Sequence, residues 1–100
     1  MEEKKNKIIR TQLSKSVCSS GVNYEESQGG SSKSYFSNKV RISLREMRES
    51  NYWLRIIKRT VKNVNTSELD FLIKESDELK KILGTIAQKS RESFLLSFIL

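Results

Sequence analysis

The chain has 100 residues, 36% of them hydrophobic and 31% charged, with a formal net charge of +7. That length suits one small core, and the modest apolar share suits thin amphipathic helices, so residues 1–100 are expected to form a single all-α domain. Histidine and proline are absent, and Cys18 is the one cysteine. This excludes an intramolecular disulfide and a thiolate metal cluster, and it removes the commonest general base. The charged start from Met1 to Lys7 is no signal peptide, and no apolar run reaches the roughly 20 residues that span a bilayer. A soluble cytoplasmic protein without a membrane partner is expected.

In chain order, the first helix is expected over about 5–28. Its apolar positions Ile9, Leu13, Val17 and Tyr24 recur at helical spacing, with Ser20 and Gly21 on the same side. Serine and glycine are weak helix formers, but a face of small residues lets a neighbouring helix approach closely. Cys18 lies in this stretch and reads as a buried small hydrophobe rather than a reactive thiol. Gly29-Gly30-Ser31-Ser32 then breaks the chain, with Ser32 and Ser34 as candidate caps.

The second helix is expected over 34–62. Phe36, Val40, Leu44, Met47, Leu54, Ile57 and Val61 follow steps of three and four, with Asn51 interrupting the row. Ile42, Trp53 and Ile56 widen the apolar arc, as for a helix touching more than one neighbour. Asn65 with Glu68, and more weakly Ser67 with Asp70, match a capping box that opens a third helix over 67–92. Its core row is Leu69, Leu72, Ile73, Leu79, Ile82, Leu83 and Ile86. Residues 93–100 read as an apolar tail. Short connections between long helices predict antiparallel neighbours in an up-down-up bundle.

No phosphate-binding glycine loop or dinucleotide fingerprint is present. Ser14, Lys15 and Ser16 are adjacent and point apart on a helix, and Glu25 and Glu26 read as a solvated or salt-bridged helix end. No catalytic residue, cofactor, metal or small-molecule substrate is expected. The chemistry-bearing pattern is basic. Arg41, Arg45, Arg48, Arg55, Arg59 and Lys62 alternate at four and three, with Tyr52 in the gap. They share one face of the second helix. From Lys33 to Lys62, nine basic residues stand against Glu46 and Glu49, which gives this segment the whole +7 of the chain. Arginine forks bind phosphate oxygens and tyrosine stacks on exposed bases, so this face is a candidate contact for RNA or DNA. The bland alternative is a solvated face.

Ser16-Val17-Cys18-Ser19-Ser20-Gly21-Val22-Asn23-Tyr24-Glu25-Glu26 resembles a helix motif of the four-helix-bundle proteins encoded in 23S ribosomal RNA intervening sequences. Ser32-Lys33-Ser34-Tyr35-Phe36, Leu44-Arg45-Glu46-Met47-Arg48-Glu49 and Tyr52-Trp53-Leu54-Arg55 are similar to the next helix of that family. Glu75-Ser76-Asp77-Glu78-Leu79-Lys80-Lys81-Ile82-Leu83 is similar to its last, and the match covers about Lys7 to Ser93. The resemblance implies an antiparallel four-helix protomer assembling into a ring, typically a pentamer. It also implies kinship with the accessory protein of diversity-generating retroelements, a similar build whose basic surface binds nucleic acid and a reverse transcriptase. It carries over no catalytic residues. Two departures stand out: the family's first helix is missing, since only Met1 to Asn6 precede the second, and Phe94 to Leu100 replace a polar, basic end. The expectation is a non-enzymatic oligomeric scaffold touching RNA or DNA. The alternatives are a protein-interaction module without nucleic-acid binding and a truncated inactive fragment.

Overall fold

Three α-helices, α1 (Glu2–Gln28), α2 (Lys33–Thr60) and α3 (Thr66–Ile99), make up nearly all of residues 2–30 and 32–99, which the computed structural model describes. No strand occurs among the described residues. The fold class is all-α, as expected, and the ends follow local chemistry. Ser32 caps α2, its hydroxyl accepting from the Tyr35 amide at 3.1 Å. Asn65 caps α3, its Oδ1 accepting from the Glu68 amide at 3.0 Å, so the boundary is set by the Asn65 cap rather than by Ser67 with Asp70. Gly30 is required by close approach, because a Cβ there would overlap the Tyr35 ring.

α2 stops at Thr60, where Val61 turns to extended backbone while its amide still bonds the Ile57 carbonyl at 2.9 Å. Asn63 then takes a φ of 61°, a left-handed conformation that asparagine tolerates. Lys62, expected on the helix, therefore lies in the connection beyond it. α3 continues to Ile99 instead of ending near 92, so the expected tail is helical over its described residues. Nothing after Gly84 breaks a helix, and propagation adds one hydrogen bond per residue.

α2 is the middle element. It packs against both α1 and α3, and those two make no backbone approach to each other among the described residues. Both contacts are antiparallel: Ser16 meets Ser50 and Ser20 meets Ser43 on one side, while Asn51 meets Ser76 and Lys58 meets Asp70 on the other. Ser43 and Leu44 are consecutive, as are Ser50 and Asn51, and consecutive helical residues point about 100° apart. α1 and α3 therefore leave α2 at roughly a right angle, like three corners of a four-helix bundle, in a body 57 × 21 × 17 Å.

The α1–α2 seam is built from hydroxyls. Ser16, Ser20, Ser27, Ser43 and Ser50 are all buried. Ser20 Oγ donates to the Ser43 carbonyl at 2.9 Å and Ser43 Oγ to the Ser20 carbonyl at 2.8 Å. Ser50 Oγ donates to Ser16 Oγ at 2.9 Å, and Ser16 Oγ to its own helix at Leu13. Side chains this short let the two backbones exchange hydrogen bonds directly. The expected apolar row on α1 is thus partly displaced: Ile9 is buried, but Val17 stays 46% exposed and Tyr24 38%. Gly21 is exposed, off the packed face. Cys18 is also exposed, correcting its expected burial, because it points away from the serine side.

The α2–α3 seam is apolar at one end, with Val40, Leu44, Leu83 and Ala87 buried and Phe36, Met47 and Ile86 packed on them. At the other end Asn51 is buried, and its Nδ2 donates to Ser76 Oγ at 2.8 Å and to the Ile73 carbonyl at 3.2 Å. The residue that interrupts the apolar row is a polar clasp between helices. Leu69 is buried as expected, but Leu72, Leu79 and Ile82 are exposed along an unpartnered edge of α3.

Ser43 tests the seam. Ser43→Ala removes a reciprocal hydrogen bond and is expected to cost about 1 kcal/mol in urea titration. Ser43→Leu wedges the helices apart and is expected to cost about 3 kcal/mol. Equal midpoints for the two variants would show that the helices need no small residue there.

Candidate nucleic-acid interface

The arc of α2 that turns away from both neighbours carries the basic row. Arg41, Arg45, Arg48, Tyr52, Arg55 and Arg59 are all exposed on the helix, about one cation per turn from Arg41 to Arg59, a span of about 27 Å. Lys62 is exposed too, but stands past the helix end. The structure thus brings six of the seven sequence-derived positions onto one helical face.

Ion pairing divides the cations of α2 by position. Lys39 Nζ, off the row, lies 2.7 Å from Glu26 of α1, and Lys58 Nζ lies 2.6 Å from Asp70 of α3. The hydrogen bond that Lys39 donates to Glu26 holds its ammonium above its usual range. These two lysines tie the helices together. On the row, Arg41, Arg48, Arg55 and Arg59 have no ion pair among the described residues. Arg45 reaches Glu46 at 3.9 Å, a long contact for a guanidinium that is 71% exposed. Such a pair contributes little in water.

The centre of the row carries the side-chain contacts. Arg55 Nε donates to Asn51 Oδ1 at 3.0 Å, and its guanidinium carbon lies 6.0 Å from the centre of the Tyr52 ring. Tyr52 meets Trp53 edge to face at 5.2 Å, and the Trp53 indole N–H donates to Glu49 at 3.3 Å. Asn51 thereby connects the α3 clasp to an arginine of the surface. Spacing alone identified the row; the tether depends on the α2–α3 register, which spacing does not encode.

α3 carries charges of its own. Lys80 and Lys81 share Asp77, at 3.1 and 3.6 Å, and the Lys80 hydrogen bond holds that carboxyl below the ordinary range. One carboxylate shared by two ammonium groups leaves this trio with a net charge of +1. Arg91, outside the sequence-derived row, joins Arg41 at one cleft.

The opposite side of the molecule is apolar. Val17, Gly21 and Tyr24 of α1, Met47 of α2, and Leu79 and Ile82 of α3 line a groove of about 440 Å³ at the open corner facing α2. Among the described residues no cluster of three potential metal ligands occurs, and no helix is long and apolar enough to cross a membrane.

The sequence model of the family described as 23S rRNA-intervening sequence protein matches residues 1–85. No curated protein matches the chain. Among solved structures, the chain is similar to a protein of unknown function from the S23 ribosomal protein family of Bacteroides thetaiotaomicron. The two are 30% identical, with a TM-score of 0.73 over 80% of this chain and 73% of that one.

The pH dependence of polyanion binding follows from which groups titrate. The row is made of arginines, which stay protonated, and the chain has no histidine. Asp77 is lowered, so its ion pairs contribute above its ordinary 3.8 and are lost only as pH falls through a still lower value. Lys39 is raised, so its pair contributes below the ordinary 10.5 and is lost only above it. Affinity for RNA is therefore expected to change less than about twofold between about pH 5.5 and about pH 8.5. Anisotropy titrations with labelled RNA check this, and a midpoint near neutrality would assign binding to another group.

Proposed function

Because the chain belongs to the 23S rRNA-intervening sequence protein family, we propose that it is a non-enzymatic cytoplasmic scaffold that contacts the backbone of RNA or DNA through α2. The observation that carries this reading is the division of charge on that helix. Its lysines beside α1 and α3 are spent on Glu26 and Asp70, while its outward arginines have no close carboxylate among the described residues, Arg55 being held by the Asn51 amide instead. A row kept only for solvation would gain by acidic neighbours at i+3 and i+4, which this face lacks at Arg41, Arg48 and Arg59. Phosphate contact positions a nucleic acid without reading its sequence, so binding of many sequences with similar affinity is expected.

Reversing three charges, Arg48→Glu, Arg55→Glu and Arg59→Glu, is expected to abolish RNA binding while the helical circular-dichroism signal persists. Wild-type affinity should also fall steeply from low to moderate salt, as counterion release requires. Unchanged binding in the triple variant would make the row a solvated face.

The apolar groove supports self-association alongside this role, as a helical interaction surface covered by further copies. The family resemblance implies a ring of five. Val17, Tyr24, Leu79 and Ile82 are too exposed for a surface that stays in water. Light scattering coupled to size exclusion is expected to give a discrete oligomer for the wild type and a smaller species for Ile82→Glu. A monomeric wild type would remove assembly from the proposal.

A further inference from the structure

At the start of α2, Ser34, Ser37, Asn38 and Arg41 share a cleft of about 340 Å³ with Arg91 and Leu95 of α3. Two arginines from different helices line the same concavity, and no acidic residue does. Neither Arg41 nor Arg91 has an ion pair among the described residues. The nearest acid in sequence, Glu92, is engaged by Gln88 Nε2 at 3.3 Å. Like charges gathered without a counter-charge repel each other, so the arrangement is relieved by an anion placed between them. The serine hydroxyls and the Asn38 amide add neutral donors of the kind that complete a phosphate's hydrogen bonds.

We propose that this cleft holds a phosphate of a nucleic-acid backbone, with Arg41 and Arg91 binding it from two helices. The proposal rests on the α2 face being a nucleic-acid surface, and it extends that face onto α3. Arg41 is both the first member of the row and a wall of the cleft, so a strand tracking the row meets Arg91 at its end. A row on one helix fixes distance along one line only. A second helix fixes where the strand leaves that line. Arg91 is thus a binding residue that only the pairing of α2 with α3 brings to this face.

The test uses the full chain, labelled RNA and two variants with the same loss of charge. Arg91→Gln removes one wall of the cleft. Lys81→Gln removes an exposed lysine of α3 that already shares Asp77. Arg91→Gln is expected to weaken binding about fivefold, alike for unrelated sequences, and to reduce the slope of log affinity against log salt by about one. Lys81→Gln should stay close to wild type. Equal effects of the two variants, with binding still abolished by the triple reversal at Arg48, Arg55 and Arg59, would overturn the cleft alone. No binding of RNA by the wild type would overturn the cleft and the proposed function together. Titration with inorganic phosphate, followed at the arginine Nε–H signals by NMR, separates a backbone phosphate from a free one. Saturation by about 10 mM phosphate, with RNA affinity untouched by Arg91→Gln, would make the cleft a small-anion site and overturn the proposal.

Discussion

Ser43 turns toward α1 and Leu44 toward α3, and the roughly 100° between consecutive helical residues becomes the angle between two interfaces. The same step recurs one heptad later at Ser50 and Asn51. Among the described residues, a single middle helix therefore supports both neighbours without a close backbone approach between them. Everything else about the surface follows from what remains around α2. One remaining arc looks into the corner between α1 and α3 and is apolar; the other looks outward and is cationic. The two interfaces also differ in kind. Serine hydroxyls bring α1 close through direct exchange with backbone carbonyls, whereas α3 is held by apolar packing and one amide clasp. Among the described residues no buried side-chain nitrogen or oxygen lacks a partner, so the polar seam carries no desolvation penalty of the kind that an orphaned hydroxyl imposes.

That division of arcs explains how the electrostatics and the fold coexist. A helix with nine nearby cations would repel itself if all were left free. α2 settles Lys39 and Lys58 on carboxylates of the flanking helices, where the pairs also report the antiparallel register. Among the described residues, Arg41, Arg48, Arg55 and Arg59 of the outward arc find no such carboxylate on a flanking helix. Positive potential therefore concentrates on one side of a narrow body only 17 to 21 Å across its short axes.

Much of this was legible in the sequence, and the parts that were not have a common cause. Helical spacing gave three helices, and the arginine row was visible because a single helix determines its own faces. The Ser32 and Asn65 caps were legible because capping is local chemistry. What depends on register between helices was not. Val17 and Tyr24 look like core on α1, yet the packed side is the serine side, since hydroxyls satisfied across an interface carry no hydrophobic signature. Asn51 looks like a defect in an apolar row until Ser76 and Ile73 are placed opposite it. Arg91 looks like one of several basic residues ending α3 until it is set beside Arg41. The end of α3 misled for a different reason: its residues have no polar face, which reads as a tail, but nothing among them stops a helix from continuing.

The bond from Arg55 to Asn51 bears on motion rather than charge. A free arginine samples many rotamers, worth about 2 kcal/mol of entropy, and surrenders much of that freedom when it grips a ligand. Arg55 has surrendered part of it already, because its Nε is fixed to a buried amide and its plane lies near the Tyr52 ring. The terminal nitrogens of its fork remain outside that bond. The outward face is thus uneven in stiffness, with one settled arginine near its middle and looser ones toward both ends. On the proposed reading, a strand on this face meets one arginine already held in place, around which the remaining side chains adapt to its path.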